Sequence, residues 1–462
     1  MKADLLIKGG EVVSSAGRSR RDVFVAGGRV TAVRPPSAGA SAARVIDARG
    51  LLVLPGIIDA HSHFRLRMGP GRYTSDDFTS GSAAAVCGGT TTFLDYTGQP
   101  PGTGLLKGLR ARIKEAEGRC YADFGFHCML TGWGRLRAPE AQMAACAAAG
   151  APTFKAFTAY GARGLLSGDA ELLAALRAAA RLRALICVHA EDGPAIDLLE
   201  GAFAPAEGIR ALPLSRPDFT ETAAVGRVAG LAAAAGAPVY FVHLSAAGSA
   251  RVVAAARRAG LKAMGETCPQ YLALDESLFR RRDGHLYSCC PPVRGKADNA
   301  ALWKALGAGT LQVLATDNCT FTRAQKDAWG GDVRKLPMGL PGSQTLLAAA
   351  YTYGVKAGRL TLGGLVGALC ENPARIMGLR SKGFIRPGFD ADFAIVDPAA
   401  ARKADWKKFK HNTDYSPWQG RRLYGFPRYT VLRGEVVAEA GELAAPKRFR
   451  GRFQRRSLPV IL

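Results

Sequence analysis

The sequence predicts an α/β fold, a closed (β/α)8 TIM barrel with a small β-sandwich domain formed from both termini. Three observations carry that prediction. The middle of the chain alternates short β-rich runs with Ala- and Leu-rich segments of helical character. Both flanks instead hold short strand-like pieces broken by Gly pairs. Four of the seven histidines fall at the C-terminal ends of the β-rich runs, the face on which such barrels build their active sites.

Taken in order, the β-rich runs are 52–59, 90–96, 122–130, 152–157, 184–190, 238–244, 261–268 and 312–317. Between them, stretches such as 169–182 and 249–260 repeat apolar residues at helical spacing, with Gly or Pro at their ends. Eight β/α units in roughly 330 residues is the count of a closed barrel with insertions. The flanks, 4–50 and 383–440, are each too short for a comfortable core and are expected to pack together. The predicted organisation is therefore 1–52 as the N-terminal part of the sandwich, 53–380 as the barrel, 381–440 as the C-terminal part of the sandwich, and 441–462 as a basic tail.

The formal net charge of +24 invites a nucleic-acid partner. Residues 401–462 carry 15 basic and five acidic side chains, densest at 447–456. No helix-turn-helix, RNP or zinc-finger pattern accompanies them, so the tail reads as solvated or as a subunit contact, and nucleic acid is not expected. No apolar run approaches a membrane span, and the N-terminus lacks a secretory signal. The ten cysteines are scattered without a C-x-x-C pair. Reduced thiols and a cytoplasmic location follow as expectations.

His61 and His63 close the first run, His189 the fifth and His243 the sixth, while Asp317 brings a carboxylate to the same mouth from the eighth. Side chains two apart on a strand point the same way, so His61 and His63 can share an ion. Neutral imidazoles with one carboxylate suit zinc or a similar ion. Lys155 ends the fourth run in an apolar stretch. Repulsion by metal ions and desolvation would depress its pKa, and the free amine could capture carbon dioxide as a bridging carbamate. His127 is expected in the core, and His285 and His411 in exposed loops.

These residues resemble the cyclic amidohydrolases of the dihydropyrimidinase and D-hydantoinase branch. The resemblance lies in Gly56-Ile-Ile-Asp-Ala-His-Ser-His63, Ser75-Asp-Asp-Phe78, Gly88-Gly-Thr-Thr-Thr92, the Lys155 segment ending in Tyr160, Glu266-Thr-Cys-Pro-Gln-Tyr-Leu272, Pro291-Pro-Val-Arg294, Thr316-Asp-Asn-Cys-Thr-Phe321 and Asn372-Pro-Ala-Arg-Ile376. It implies two divalent metal ions, zinc being expected. His61, His63 and Asp317 would hold one and His189 and His243 the other, bridged by N6-carboxylysine at Lys155. It implies further that Tyr160 stabilises the oxyanion, that Asp317 shuttles the proton, and that the product is an N-carbamoyl amino acid. A homotetramer or homodimer is the implied assembly.

Some positions depart from the family pattern. Asn318 stands where similar enzymes carry His after the metal-binding Asp. Cys290 replaces Ser before the Pro-Pro pair, and Met338 replaces Asn before Gly-x-Pro-Gly. Both positions are expected to contact the ring amide, mainly through backbone groups. The loop His63-Phe-Arg-Leu-Arg67 gives the H-x-H-x-R spacing that dihydroorotases share. Arg65, with Arg67 beside it, is thereby a candidate to bind a substrate carboxylate through its guanidinium fork, the alternative being an arginine paired locally within the long loop. The alternatives are a dihydroorotase- or allantoinase-like amidase acting on a carboxylated or ureido-substituted ring, and a non-catalytic oligomeric scaffold.

Overall fold

The computed structural model describes residues 3–69, 71–100, 103–203 and 206–462, so Met1 and Lys2 of the expected N-terminal part lie outside the described residues. Eight parallel strands form the barrel: Ile57–Asp59, Thr90–Tyr96, Asp123–Met129, Thr153–Phe157, Leu185–His189, Val239–Phe241, Ala263–Thr267 and Val313–Leu314. Each pairs with its neighbour in sequence order. A parallel bridge between Ser62 and Asn318, with His63 N–H donating to Asn318 O at 2.8 Å, joins the first strand's exit to the eighth's.

The intervening helices follow from local chemistry. Asp169–Leu182 buries Leu172, Ala175, Leu176 and Ala179 on one side, starts with Asp169 and Glu171, and ends with Arg181 in its last turn. That is an amphipathic stripe with charges placed to suit the helix dipole. Phe78–Cys87 is started by Asp77, which accepts from the N–H groups of Thr79 and Ser80 while Ser80 bonds back. Among the described residues, no helix is long and apolar enough to cross a membrane.

Strands Leu5–Ser14, Gly17–Ala26, Arg29–Arg34, Arg44–Asp47 and Leu52–Pro55 join Phe393–Val396, Pro427–Leu432, Glu435–Glu439 and Glu442–Leu443 in one nine-stranded sheet. The two termini meet where Leu52–Pro55 pairs antiparallel with Phe393–Val396. The sheet folds over its own core of Leu5, Ile7, Val23, Val25, Val53, Phe393, Ile395 and Val431, and Ala391 N–H reaches Gly28 O at 2.9 Å. This is the sandwich expected from the flanks. Its strands run past the expected boundaries, to Pro55 and Leu443.

Three expectations need correction. The run 52–59 is not one barrel strand, because it divides at Gly56 between sheet and barrel. A Cβ at Gly56 would lie 2.1 Å from Thr91 Oγ1, so only glycine lets the chain pass this close. The basic tail is not simply solvated. Phe124 N–H donates to Arg452 O at 3.0 Å, and Gln454 N–H donates back to Phe124 O at 2.7 Å. Phe453 stacks on Phe126, buried Arg456 donates to Thr153 Oγ1 and Phe126 O, and Ile461 and Leu462 pack on the barrel-interior cluster that holds Leu94, Leu185 and Met264. Apolar residues between the arginines give the tail something to bury. Finally, His411 is buried, with Nδ1 2.7 Å from Asp76 Oδ2, and His285 is half-buried beside Asp327.

An ion cluster clamps the barrel to the sheet. Lys382 Nζ lies 2.6 Å from Asp123 on the third barrel strand, 2.8 Å from Asp392 and 3.0 Å from Asp390. Arg433 also donates to Asp123.

Candidate metal centre

His61 and His63 leave the first barrel strand on alternate positions and turn both imidazoles to one point, with Nε2 to Nε2 at 3.2 Å. Asp317 Oδ1 arrives from the eighth strand at 3.1 Å from His61 Nε2 and 3.2 Å from His63 Nε2. Among the described residues these three form a group with ligand atoms mutually close enough for one ion. Across the mouth, His189 Nδ1 lies 3.0 Å from His243 Nε2, and the His61 and His243 ring centroids are 5.3 Å apart. His243 and Asp317 both adopt positive φ, 40° and 50°, strain of the kind that the surrounding fold must hold in place.

Lys155 stands at the middle of the fourth strand, buried, with Nζ over the rings of Tyr96 (5.0 Å) and Phe157 (5.3 Å). The Tyr96 ring in turn packs at 4.8 Å from His61 and 4.7 Å from His63. Among the described residues no carboxylate stands within ion-pair distance of this ammonium. Burial lowers its pKa to about 8 despite the nearby charges of Asp317 and Glu266.

Carboxylates behind the imidazoles decide which nitrogen faces the mouth. Glu266 Oε1 takes His61 Nδ1 at 2.8 Å, and its other oxygen accepts from Tyr240 Oη at 2.8 Å. Glu191 Oε2 takes His189 Nε2 at 2.8 Å and is itself held by Arg216 Nη1 at 2.8 Å. Asp59 accepts from Thr316 N and Oγ1, tying the first strand to the eighth just beneath Asp317. Carboxylate–imidazole pairs of this kind fix the tautomer and leave the other ring nitrogen as a lone pair.

The electrostatics agree with a cation site. Burial lowers the pKa of His63, His189 and His243, leaving neutral imidazoles. Burial acts the same way on His61, but Glu266 and Asp317 outweigh it and raise that pKa, so the spot facing His61 favours positive charge. Asp317 is held well below the usual carboxylate range: burial would raise it, and His61 and His63 more than offset that. A tetrahedral ion with nitrogen and oxygen ligands at about 2.0–2.1 Å places those atoms roughly 3.3 Å apart, close to the separations found here. Among the described residues the buried Nδ1 atoms of His63 and His243 have no hydrogen-bond partner, so neither Nδ1 is committed elsewhere. These residues therefore fit a metal centre and could hold two ions.

Tyr160 follows the fourth strand in a left-handed conformation, φ 67°, with its ring 4.9 Å from that of His189. Burial raises its pKa well above 10, so it stays a hydroxyl donor. Cys290 is buried near Tyr160. The Met338 segment is joined to the one before Cys290 by Gly339 N–H donating to Ser288 O at 2.9 Å. Asn318 is buried and accepts from the N–H groups of Gly342 and Ser343, holding that segment against the eighth strand. Arg65 is turned to other partners: its Nε lies 3.3 Å from Glu115 and its guanidinium 5.4 Å over Tyr73. Arg67 is exposed on the hairpin that follows.

The sequence reading missed Glu191, Glu266, Asp59 and Arg216. Glu191 stands two residues after His189, and Glu266 is an isolated carboxylate in an apolar run, so both carried a signal. Arg216 follows a long helical insertion and carried none.

The model of the amidohydrolase family matches residues 52–437. A D-hydantoinase of Streptomyces coelicolor is 37% identical over 457 residues, covering 97% of each chain. Among solved structures, a dihydropyrimidinase from Brevibacillus agri superposes with a TM-score of 0.93 at 33% identity, covering 98% of this chain and 99% of that one. An L-hydantoinase (dihydropyrimidinase) from Arthrobacter aurescens gives 0.91 at 31% identity, covering 98% and 100%.

Proposed function

The chain belongs to the amidohydrolase family, and from that premise we propose that it hydrolyses a cyclic amide, opening a dihydropyrimidine or hydantoin ring to an N-carbamoyl amino acid. The observation that carries this reading is the pairing of the His61–His63–Asp317 group with the His189–His243 pair around Lys155, at the mouth where Tyr160 also stands.

We assign His61, His63 and Asp317 to one divalent ion and His189 and His243 to a second, zinc in both cases because the donors are neutral imidazoles and a carboxylate. Lys155, with its pKa lowered to about 8, has an amine available to take up carbon dioxide. As N6-carboxylysine it would offer an anionic oxygen ligand to both positions. When bound, the ions supply Lewis acidity and lower the pKa of water.

The chain's own groups do the rest. Asp317, ionised at neutral pH, takes a proton from the attacking water and delivers it to the leaving ring nitrogen. The Tyr160 hydroxyl donates to the oxyanion that develops on the ring carbonyl. Backbone groups at Cys290 and Met338 hold the ring amide. Glu266 and Glu191 keep His61 and His189 in register, and Arg216 keeps Glu191 charged. Arg65, engaged by Glu115, would reach a substrate only by leaving that pair.

The test is turnover of dihydrouracil and hydantoin by protein loaded with zinc, manganese or cobalt, with the N-carbamoyl product identified by mass. Ring opening that is lost in His61→Ala and His189→Ala supports the reading, and metal-loaded protein that opens neither ring overturns it. A homotetramer or homodimer, measurable by light scattering, is proposed from likeness to similar proteins. A cytoplasmic location is proposed from ten cysteines that are all free and buried.

A further inference from the structure

We propose that Arg163 determines specificity at this site by recognising a carboxylate on the exocyclic substituent of the ring; the proposal rests on the ring-opening reading above. Two guanidiniums flank the Tyr160 ring, that of Arg216 at 5.5 Å and that of Arg163 at 5.4 Å from its centroid. Their circumstances differ. Arg216 is buried and neutralised, with Nη1 2.8 Å from Glu191 and Nη2 3.1 Å from Glu200. Arg163 is exposed, and among the described residues its guanidinium has no carboxylate within ion-pair distance and no hydrogen bond. Asp197 approaches the same turn, with Oδ2 3.8 Å from where a Cβ on Gly161 would sit, but it does not pair with Arg163.

The turn that carries Arg163 is built rather than loose. Arg163 N–H donates to Tyr160 O at 3.1 Å, Leu165 N–H to the same oxygen at 3.2 Å, and Ser167 N–H to Phe157 O at 2.8 Å. A parallel bridge joins Leu166 to Phe157 on the fourth strand. The cation is thereby presented at a defined height above Tyr160.

If the ring amide lies between Asp317 and Tyr160, a substituent leaving past Tyr160 meets the Arg163 guanidinium, which among the described residues pairs with no carboxylate. A guanidinium fork matches a carboxylate in shape and sign. The arginine that recognises an acidic substituent is therefore Arg163 on the fourth loop, and not Arg65 on the first, which Glu115 occupies.

The experiment uses the full-length, metal-loaded enzyme with hydantoins bearing acetic or propionic acid at C5, and with the uncharged amides of the same shape. Wild type is expected to prefer the acids by about tenfold in kcat/KM, with the preference eroding as salt is raised. Arg163→Gln is expected to raise KM for the acids about tenfold more than for the amides, and Arg163→Lys to keep part of the preference. Equal losses on acids and amides in Arg163→Gln, or no acid preference in wild type while unsubstituted hydantoin is opened, overturn the assignment alone. If unsubstituted hydantoin is not opened either, the ring-opening reading falls and the assignment with it.

Discussion

Lys326 offers the most quantitative test of the packing around the site. Its ammonium is fully buried, with Nζ 3.0 Å from Ser288 O and 2.7 Å from Ser288 Oγ. Among the described residues it has no carboxylate partner, and burial brings its pKa from 10.5 down to about 7. In the unfolded chain the lysine binds its proton up to about pH 10.4. Between those values the unfolded state therefore holds more protons, and stability rises with pH. Each pH unit separating the folded and unfolded titrations is worth about 1.4 kcal/mol, so a gap of about 3.5 makes the charged state cost on the order of 5 kcal/mol at and below pH 7. Replacing the ammonium with a thioether removes that cost and forfeits two hydrogen bonds of about 1 kcal/mol each. Lys326→Met is therefore expected to be at least as stable as wild type at pH 7 in urea unfolding. Its advantage should shrink by up to about 1.4 kcal/mol per pH unit between pH 7 and 10. An advantage that stays constant with pH, or a loss of more than about 3 kcal/mol at pH 7, would refute this reasoning.

Other outcomes follow from the same structure. Truncation after Ala445 strips Phe453, Ile461 and Leu462 from the barrel and is expected to cost about 3–5 kcal/mol in chemical denaturation; unchanged stability together with lost, salt-dependent nucleic-acid binding would instead favour a solvated binding tail. Glu266→Gln removes the charge that orients His61 and should lower metal affinity about 10- to 100-fold, read by competition with a chelator. Tyr160→Phe should lower kcat about 10²- to 10³-fold with a smaller change in KM, because the hydroxyl acts on the oxyanion rather than on the ground state; a change confined to KM would argue for a binding role alone.

How much of the fold and site is legible in the sequence depends on whether the signal is local. Strand alternation and the position of four histidines at the ends of β-rich runs are local, so the barrel and the His61, His63, His189, His243 and Asp317 group can be read off the chain. Glu191 and Glu266 lie in or beside recognisable segments but need a partner in space to acquire a role: His61 and Glu266 are 205 positions apart. The loops are harder still. H-x-H-x-R draws attention to Arg65, yet Glu115 on the helix after the second barrel strand pairs with it, and nothing in the sequence near Arg163 marks it as a cation beside Tyr160 that has no carboxylate partner among the described residues. The tail misleads for a physical reason, since net charge says nothing about which arginines find carbonyls. Arg456 finds Met377 O and Phe126 O at the barrel.

The central claim is a two-ion centre bridged by a modified lysine, and one sample tests it: native protein purified without chelators, analysed for metal by elemental analysis and for the Lys155 peptide by mass. About two divalent ions per chain and a Lys155 heavier by one carboxylate group are expected, both lost together with dihydrouracil turnover in Lys155→Ala. A protein that opens dihydrouracil while carrying no metal and an unmodified Lys155 would contradict it.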